Sequence, residues 1–219
     1  MIEIGRSKRA QQVYSFDDIA IVPTRRTRHI EDVRLNWTID ALTFDFPILA
    51  APQDSVMSPA TAVAFGKLGG LGVLNLEGLW TRYADPEPVL DELASIEDPA
   101  TATRRMQQVY AAPVQGELIT QRLNEIREAG VPVAGSLSPE NCKAFASVVE
   151  KAGVDFFVIR GTTVSAEHVS STVEPLNLKE FIYALDVPVI VGGCATYQAA
   201  LHLMRTGAAG VLVGFGGVA

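Results

Sequence analysis

Four short stretches of this sequence combine glycine or proline with side chains able to bind or react. They are Ala51-Pro52-Gln53-Asp54-Ser55-Val56, Arg160-Gly161-Thr162-Thr163-Val164-Ser165, Gly192-Gly193-Cys194-Ala195-Thr196 and Val213-Gly214-Phe215-Gly216-Gly217-Val218-Ala219. Glycine lets a backbone approach a ligand closely, and an amide-lined loop can hold an anion or stabilise a thiolate. Arg160 suits a phosphate or ribose contact, since its planar fork offers several donors. Simpler roles exist for each. Asp54 can cap the next helix together with Ser58, and Arg160 can pair with Asp155 or Glu167. Gly192-Gly193 can form a tight turn. Cys194 and the helical Cys142 can be small buried fillers. His29, His168 and His202 share no metal-ligand spacing, so no metal site is expected from them.

Each stretch follows a short apolar run. The runs are FPILAAP (46–52), VDFFVIR (154–160), VPVIVGG (187–193) and AGVLVGF (209–215), with two more at GLGVLN (70–75) and VPVAGSL (131–137). They are continuous rather than alternating, as in parallel strands covered on both faces. Between them lie segments with helix punctuation: Ser58 and Ser138 precede Pro59 and Pro139, and Gly69, Gly153 and Gly207 stand at the stops. Phe145, Val148, Val149 and Ala152 keep helical spacing and are expected to cover the sheet. Repeated βα units make a parallel sheet with right-handed crossovers. An open doubly wound sheet is one solution. The strand-end chemistry favours the other, a (β/α)8 TIM barrel of which about the first six βα units are present.

The interval 76–130 is charged and helix-prone, with too few large apolar residues for a core of its own. It reads as a helical elaboration of one crossover within a single partial barrel over 1–219.

Forty-eight per cent of the 219 residues are hydrophobic, enough for a sizeable core. The formal net charge of −7 argues against general affinity for nucleic acid or anionic membrane. Two cysteines make no disulfide framework, and no apolar run long enough for a membrane span follows the basic N-terminus. The expected setting is the cytoplasm.

Four motifs, in order and in register, resemble the IMP dehydrogenase/GMP reductase family. Tyr14-Ser15-Phe16-Asp17-Asp18-Ile19-Ala20-Ile21-Val22-Pro23 resembles its N-terminal TFDDVLLVP segment. Ala51-Pro52-Gln53-Asp54-Ser55-Val56 with Gly69-Gly70-Leu71-Gly72-Val73 resembles PMDTVTE and GGIGFIH. Gly192-Gly193-Cys194-Ala195-Thr196 resembles GGNVAT, and Val213-Gly214-Phe215-Gly216-Gly217 resembles VGIGPGSICTT. The likeness is strongest to the shorter bacterial proteins without tandem CBS domains, which would be inserted in the 76–130 interval.

The resemblance implies an oxidoreductase of purine biosynthesis. A cysteine attacks C2 of IMP, hydride passes to NAD, and water releases XMP. The reductase branch deaminates GMP with NADPH. By the same resemblance the purine 5′-monophosphate is bound by Ala51, Gln53, Asp54, Cys194, Gly214 and Ala219, and NAD by Arg160, Gly161, Thr162 and Thr163. Carbonyls of Gly216 and Val218 would hold a monovalent cation, potassium, and a homotetramer is implied. The nucleophile is expected about two residues beyond Ala219, so residues 1–219 alone should be inactive. The chain departs from the family pattern at four ligand-facing positions. Arg160 replaces an aspartate, Cys194 an asparagine, Leu212 a basic residue and Gln53 a methionine. A GMP reductase and a nucleotide-binding paralogue with impaired catalysis are the competing readings; an FMN-dependent barrel enzyme is a fourth.

Overall fold

The computed structural model describes residues 2–3, 9–10, 12, 14, 16–22, 25–161, 164–165 and 175–214. The chain divides into two units: 1–34 with 216–219, and 35–215. In the first, strand β1 (Ile2–Glu3) pairs antiparallel with β2 (Arg9–Ala10), and single 3-10 turns cover Phe16–Asp18 and Ile30–Asp32.

The second unit is built on a curled, parallel six-stranded sheet, a partial TIM barrel as expected. Its strands are β5 (Leu49–Ala50), β6 (Leu71–Asn75), β7 (Ala134–Leu137), β8 (Phe156–Arg160), β9 (Val189–Cys194) and β10 (Gly210–Val213). They pair in strict sequence order. A doubly wound sheet reverses its order at a switch point, and this one never does. Between the strands run α1 (Pro59–Lys67), α2 (Glu87–Ala94), α3 (Pro99–Val109), α4 (Gly116–Glu128), α5 (Pro139–Ala152), α6 (Leu178–Tyr183) and α7 (Tyr197–Met204). α2, α3 and α4, with a 3-10 turn at Leu79–Thr81, fill the interval 76–130. Among the described residues, no helix is long and apolar enough to cross a membrane.

Side chains alternate across the sheet with a period of two. Leu74, Phe157, Ile159 and Val191 pack under the helices, together with Ile119, Leu123 and Ile126 of α4 and Cys142 and Val149 of α5. Leu71, Val73, Ala134, Phe156, Val158 and Ile190 form a second cluster on the inner face. That is why the runs read as continuous: both faces are covered.

The inner face is closed by an element the apolar runs do not announce. Strands β3 (Trp37–Ile39) and β4 (Leu42–Phe44) form an antiparallel hairpin whose turn residue Asp40 takes a φ of 51°, a conformation Asp tolerates better than most residues. Trp37 stacks on Phe44 at 5.0 Å and donates from Nε1 to Phe46 O at 2.8 Å. Phe44 meets Phe156 at 6.0 Å. Leu71, Ala134 and Phe156 begin their strands, so the hairpin plugs the N-terminal end of the barrel. The opposite end is left for the site.

Helix punctuation holds with one change. Ser58 caps α1 by accepting from Thr61 N at 3.0 Å, with Pro59 at the first helical position. Gly153 ends α5 in the left-handed region, φ 79°. Ser138 occupies the N-cap of α5 without a side-chain cap bond, because its hydroxyl is turned to Glu77.

Candidate functional site

The C-terminal ends of the parallel strands lie along one edge, the usual site of chemistry in a barrel. A contact between two described residues spans that edge. Arg160, the last residue of β8, donates from Nη1 to the carbonyl oxygen of Pro52 at 3.3 Å. Strands β6 and β7 separate β8 from β5. In a flat sheet that separation would be about 14 Å, three strand spacings, further than an arginine extends. The curl brings the loop after β5 and the end of β8 to one mouth. Arg160 is exposed and shares the inner-face parity of Phe156 and Val158. It does not pair with Asp155, which instead accepts from Val133 N at 2.7 Å. Glu167 lies outside the described residues.

Asp54 does not cap α1; Ser58 does so itself. Its carboxylate faces the other way and accepts three hydrogen bonds: Asn75 Nδ2 at 3.1 Å, Leu79 N at 2.6 Å and Tyr110 Oη at 2.6 Å. The fit around it is tight, for a Cβ on Gly78 would lie 1.9 Å from Asp54 Oδ1. Burial first, then the hydrogen bond and charge of Asp54, push the Tyr110 hydroxyl far above its ordinary range, so it remains the donor. Gln53 precedes this anchor and is exposed at the mouth. Its carbonyl accepts from Val56 N at 3.0 Å and Met57 N at 2.8 Å, which closes the turn. Ala51 is exposed and accepts from Gln53 N at 2.9 Å.

Glu77, two residues past β6, is the second carboxylate on this edge. It accepts from Ser138 N at 2.6 Å, Ser138 Oγ at 2.8 Å and Asn141 Nδ2. It thus occupies the N-terminal end of α5 with an internal anion, where a carboxylate is stabilised by free N–H groups. Cys142 lies behind it; burial, with the charge of Glu77 second, pushes its thiol up to about 12. A thiol in that state is a poor nucleophile.

Gly192 and Gly193 form no turn. They lie within β9, where Gly161 N donates to Gly192 O at 2.9 Å and Gly193 N to Gly161 O at 3.1 Å. The reason for glycine at 192 is β10, because a Cβ there would meet Leu212 Cβ at 2.3 Å. Cys194 is 2% exposed, packs in the helix-side core, and points its thiol at Leu212 O at 3.6 Å. Gly214 N donates to Cys194 O at 2.6 Å, and Gly214 itself sits at φ 99° with open space where a side chain would go. Thr162, Thr163, Gly216, Val218 and Ala219 lie outside the described residues. Among those described, no group of three or more His, Cys, Asp or Glu is arranged to hold a metal ion.

The mouth therefore brings together Ala51, Gln53, Asp54 and Arg160, with Gly161, Gly192 and Gly214 in the strand ends beside them. Sequence reading missed Asn75, Glu77 and Tyr110, and read Ser138 only as a helix cap. Asn75 ends β6 and Glu77 lies two residues past it, which was a usable signal; Tyr110 caps the distant helix α3 and carried none.

Three comparisons bear on this arrangement. The profile of the IMP dehydrogenase / GMP reductase domain matches residues 13–219. An uncharacterized oxidoreductase of Mycolicibacterium smegmatis is 49% identical over 220 residues, covering 99% of this chain and 59% of that protein. One from Mycobacterium tuberculosis is 48% identical over the same span, again 59% of its length. This chain thus spans about three-fifths of those relatives. An inosine-5′-monophosphate dehydrogenase of Methanocaldococcus jannaschii is 33% identical over 66 residues, 30% of this chain and 13% of that one. The crystal structure of an IMP dehydrogenase/GMP reductase-like protein from Corynebacterium glutamicum superposes with a TM-score of 0.91 at 47% identity, covering 98% of this chain and 57% of that one.

Proposed function

The chain belongs to the IMP dehydrogenase/GMP reductase family, and from that premise we propose that the whole protein oxidises IMP to XMP with NAD at the mouth of this barrel. The observation that carries the reading is the Arg160–Pro52 contact, which gathers the family's first and fourth strand-end segments about one cleft. The purine monophosphate would lie beside Gln53 and the glycine loop that Gly214 opens. Gln53 offers an amide able to donate to and accept from a purine edge. Asp54 holds the turn that presents it. By the resemblance, the thiol nucleophile belongs to the continuation of the Gly214 loop beyond Ala219, and potassium to the carbonyls of Gly216 and Val218.

Bound NAD would supply the acceptor for the hydride from C2 of the purine. The described residues fit such a ligand at one point. Arg160 is exposed and, among the described residues, gives only Nη1 to Pro52; its planar fork of donors suits a ribose hydroxyl or pyrophosphate oxygen. Gly161 offers less, since its N–H and carbonyl are both paired with β9. The balanced reaction consumes IMP, NAD and water and yields XMP, NADH and a proton. A homotetramer is proposed on the resemblance alone, and a cytoplasmic setting on the two cysteines of the sequence.

The test is an absorbance assay on the full-length protein. IMP with NAD should give NADH and XMP in equal amounts. NADPH consumption with GMP, in the absence of IMP oxidation, would assign the reductase reaction instead. Nucleotide binding without either turnover would assign a non-catalytic paralogue.

A further inference from the structure

The far part of the helical crossover between β6 and β7 meets the loop after β5 through Tyr110. Tyr110, the residue that ends α3, donates from Oη to Asp54 Oδ2 at 2.6 Å, although 56 positions separate them. The other donors to Asp54, Asn75 Nδ2 and Leu79 N, belong to the end of β6 and the turn directly after it. Tyr110 is itself well located. Its N–H donates to Met106 O at 2.9 Å, and the Arg82 guanidinium lies over its ring at 5.7 Å. Arg82 is tied in turn to Glu77 O at 2.9 Å and to Ala112 O.

Asp54 sits inside the turn whose first residue, Gln53, faces the mouth. The carbonyl of Gln53 is bonded to Val56 N and Met57 N, which ties Gln53 into the turn that carries Asp54. A pull on Asp54 is therefore a pull on Gln53. With three internal donors and Gly78 pressed against it, Asp54 has little capacity left for a ligand.

We infer that Tyr110 is a positioning residue: through its hydrogen bond to Asp54 the crossover 76–130 sets the turn that presents Gln53 to the nucleotide. The inference rests on the proposed purine-monophosphate site. It makes the crossover part of the binding apparatus and moves Asp54 from ligand contact to anchor.

Tyr110→Phe in the full-length protein removes the hydroxyl and keeps the ring under Arg82. Tyr83→Phe is its matched control, for Tyr83 Oη donates at 2.9 Å to Val109 O in the same crossover without touching Asp54. Two readouts are taken. In unliganded protein, amide hydrogen exchange over residues 53–57 should quicken in Tyr110→Phe and stay unchanged in Tyr83→Phe. In calorimetry with IMP, Tyr110→Phe should weaken binding about tenfold, the scale of one hydrogen bond to a charged group, with Tyr83→Phe unaffected. Unchanged exchange in Tyr110→Phe overturns the positioning role, whatever the ligand. Equal effects of the two variants also overturn it, by making the change one of crossover stability. Faster exchange with no nucleotide bound by the wild type would leave the anchor standing and refute the proposed substrate site.

Discussion

Gly192 of β9 and Leu212 of β10 face each other in register, so close that a Cβ at 192 would stand 2.3 Å from Leu212 Cβ and 2.7 Å from Leu212 O. Neither contact is with a flexible tip that can swing aside. Gly192→Ala must push β10 off β9, and overpacking of this kind costs roughly 1–3 kcal/mol. Denaturant unfolding should report a loss in that range. A variant as stable as the wild type would mean the two strands have room to separate.

Phe44 is 3% exposed and joins the hairpin to the inner face through Phe156. Phe44→Ala should cost about 3–5 kcal/mol, as for other buried aromatic truncations. Trp37→Phe keeps an aromatic ring on Phe44 and loses the bond to Phe46 O, about 1 kcal/mol, with some indole packing. Thermal unfolding of the two variants should rank them in that order.

Much of this architecture was legible from residue type. Six apolar runs became six parallel strands because helices cover one face and a second apolar cluster lies on the other. The first shrank most, from 46–52 to Leu49–Ala50, since β5 pairs only with β6 among the described residues, over two positions. The plug was missed, although Trp37, Ile39, Leu42 and Phe44 alternate on either side of Asp40-Ala41; the turn lacks the glycine that usually marks a hairpin. Asp54 was singled out as a candidate site residue, but its partners Asn75, Leu79 and Tyr110 were not. Tyr110 lies 56 positions away on an unremarkable helix, and nothing local encodes that meeting. Ser138 shows the reverse case, where a capping residue is diverted by Glu77, which belongs to another loop.

Gly78 and Asp54 should couple. Asp54→Ala strands the Leu79 N–H and the Asn75 amide and should cost about 1–3 kcal/mol. Gly78→Ala alone is disfavoured because its Cβ meets the carboxylate at 1.9 Å. Combined with Asp54→Ala, that clash is gone. The double variant should therefore be more stable than the sum of the single losses predicts. Strict additivity in the cycle would contradict the close packing described.

Cys142 gives a pH signature. Its thiol is raised in the folded protein from 9.0 to about 12 by burial and then by Glu77. The unfolded chain loses that proton first, so the unfolded state binds fewer protons between those values and stability falls as pH rises through them. The contribution is complete below pH 9 and declines toward 12, with a slope of at most about 1.4 kcal/mol per pH unit. Cys142→Ala should flatten the fall of wild-type stability in that window while lowering stability at pH 7 through the cavity it leaves. Parallel pH curves for the two proteins would exclude the assignment.

The central claim is that the strand-end mouth around Gln53, Asp54 and Arg160 binds a purine 5′-monophosphate. Isothermal titration of the full-length protein with IMP, GMP and XMP, repeated with Gln53→Ala, tests it most directly. The account predicts saturable binding of at least one of the three at one site per chain, weakened by Gln53→Ala without loss of thermal stability. Absence of binding by all three nucleotides, or binding that Gln53→Ala leaves untouched, would contradict it.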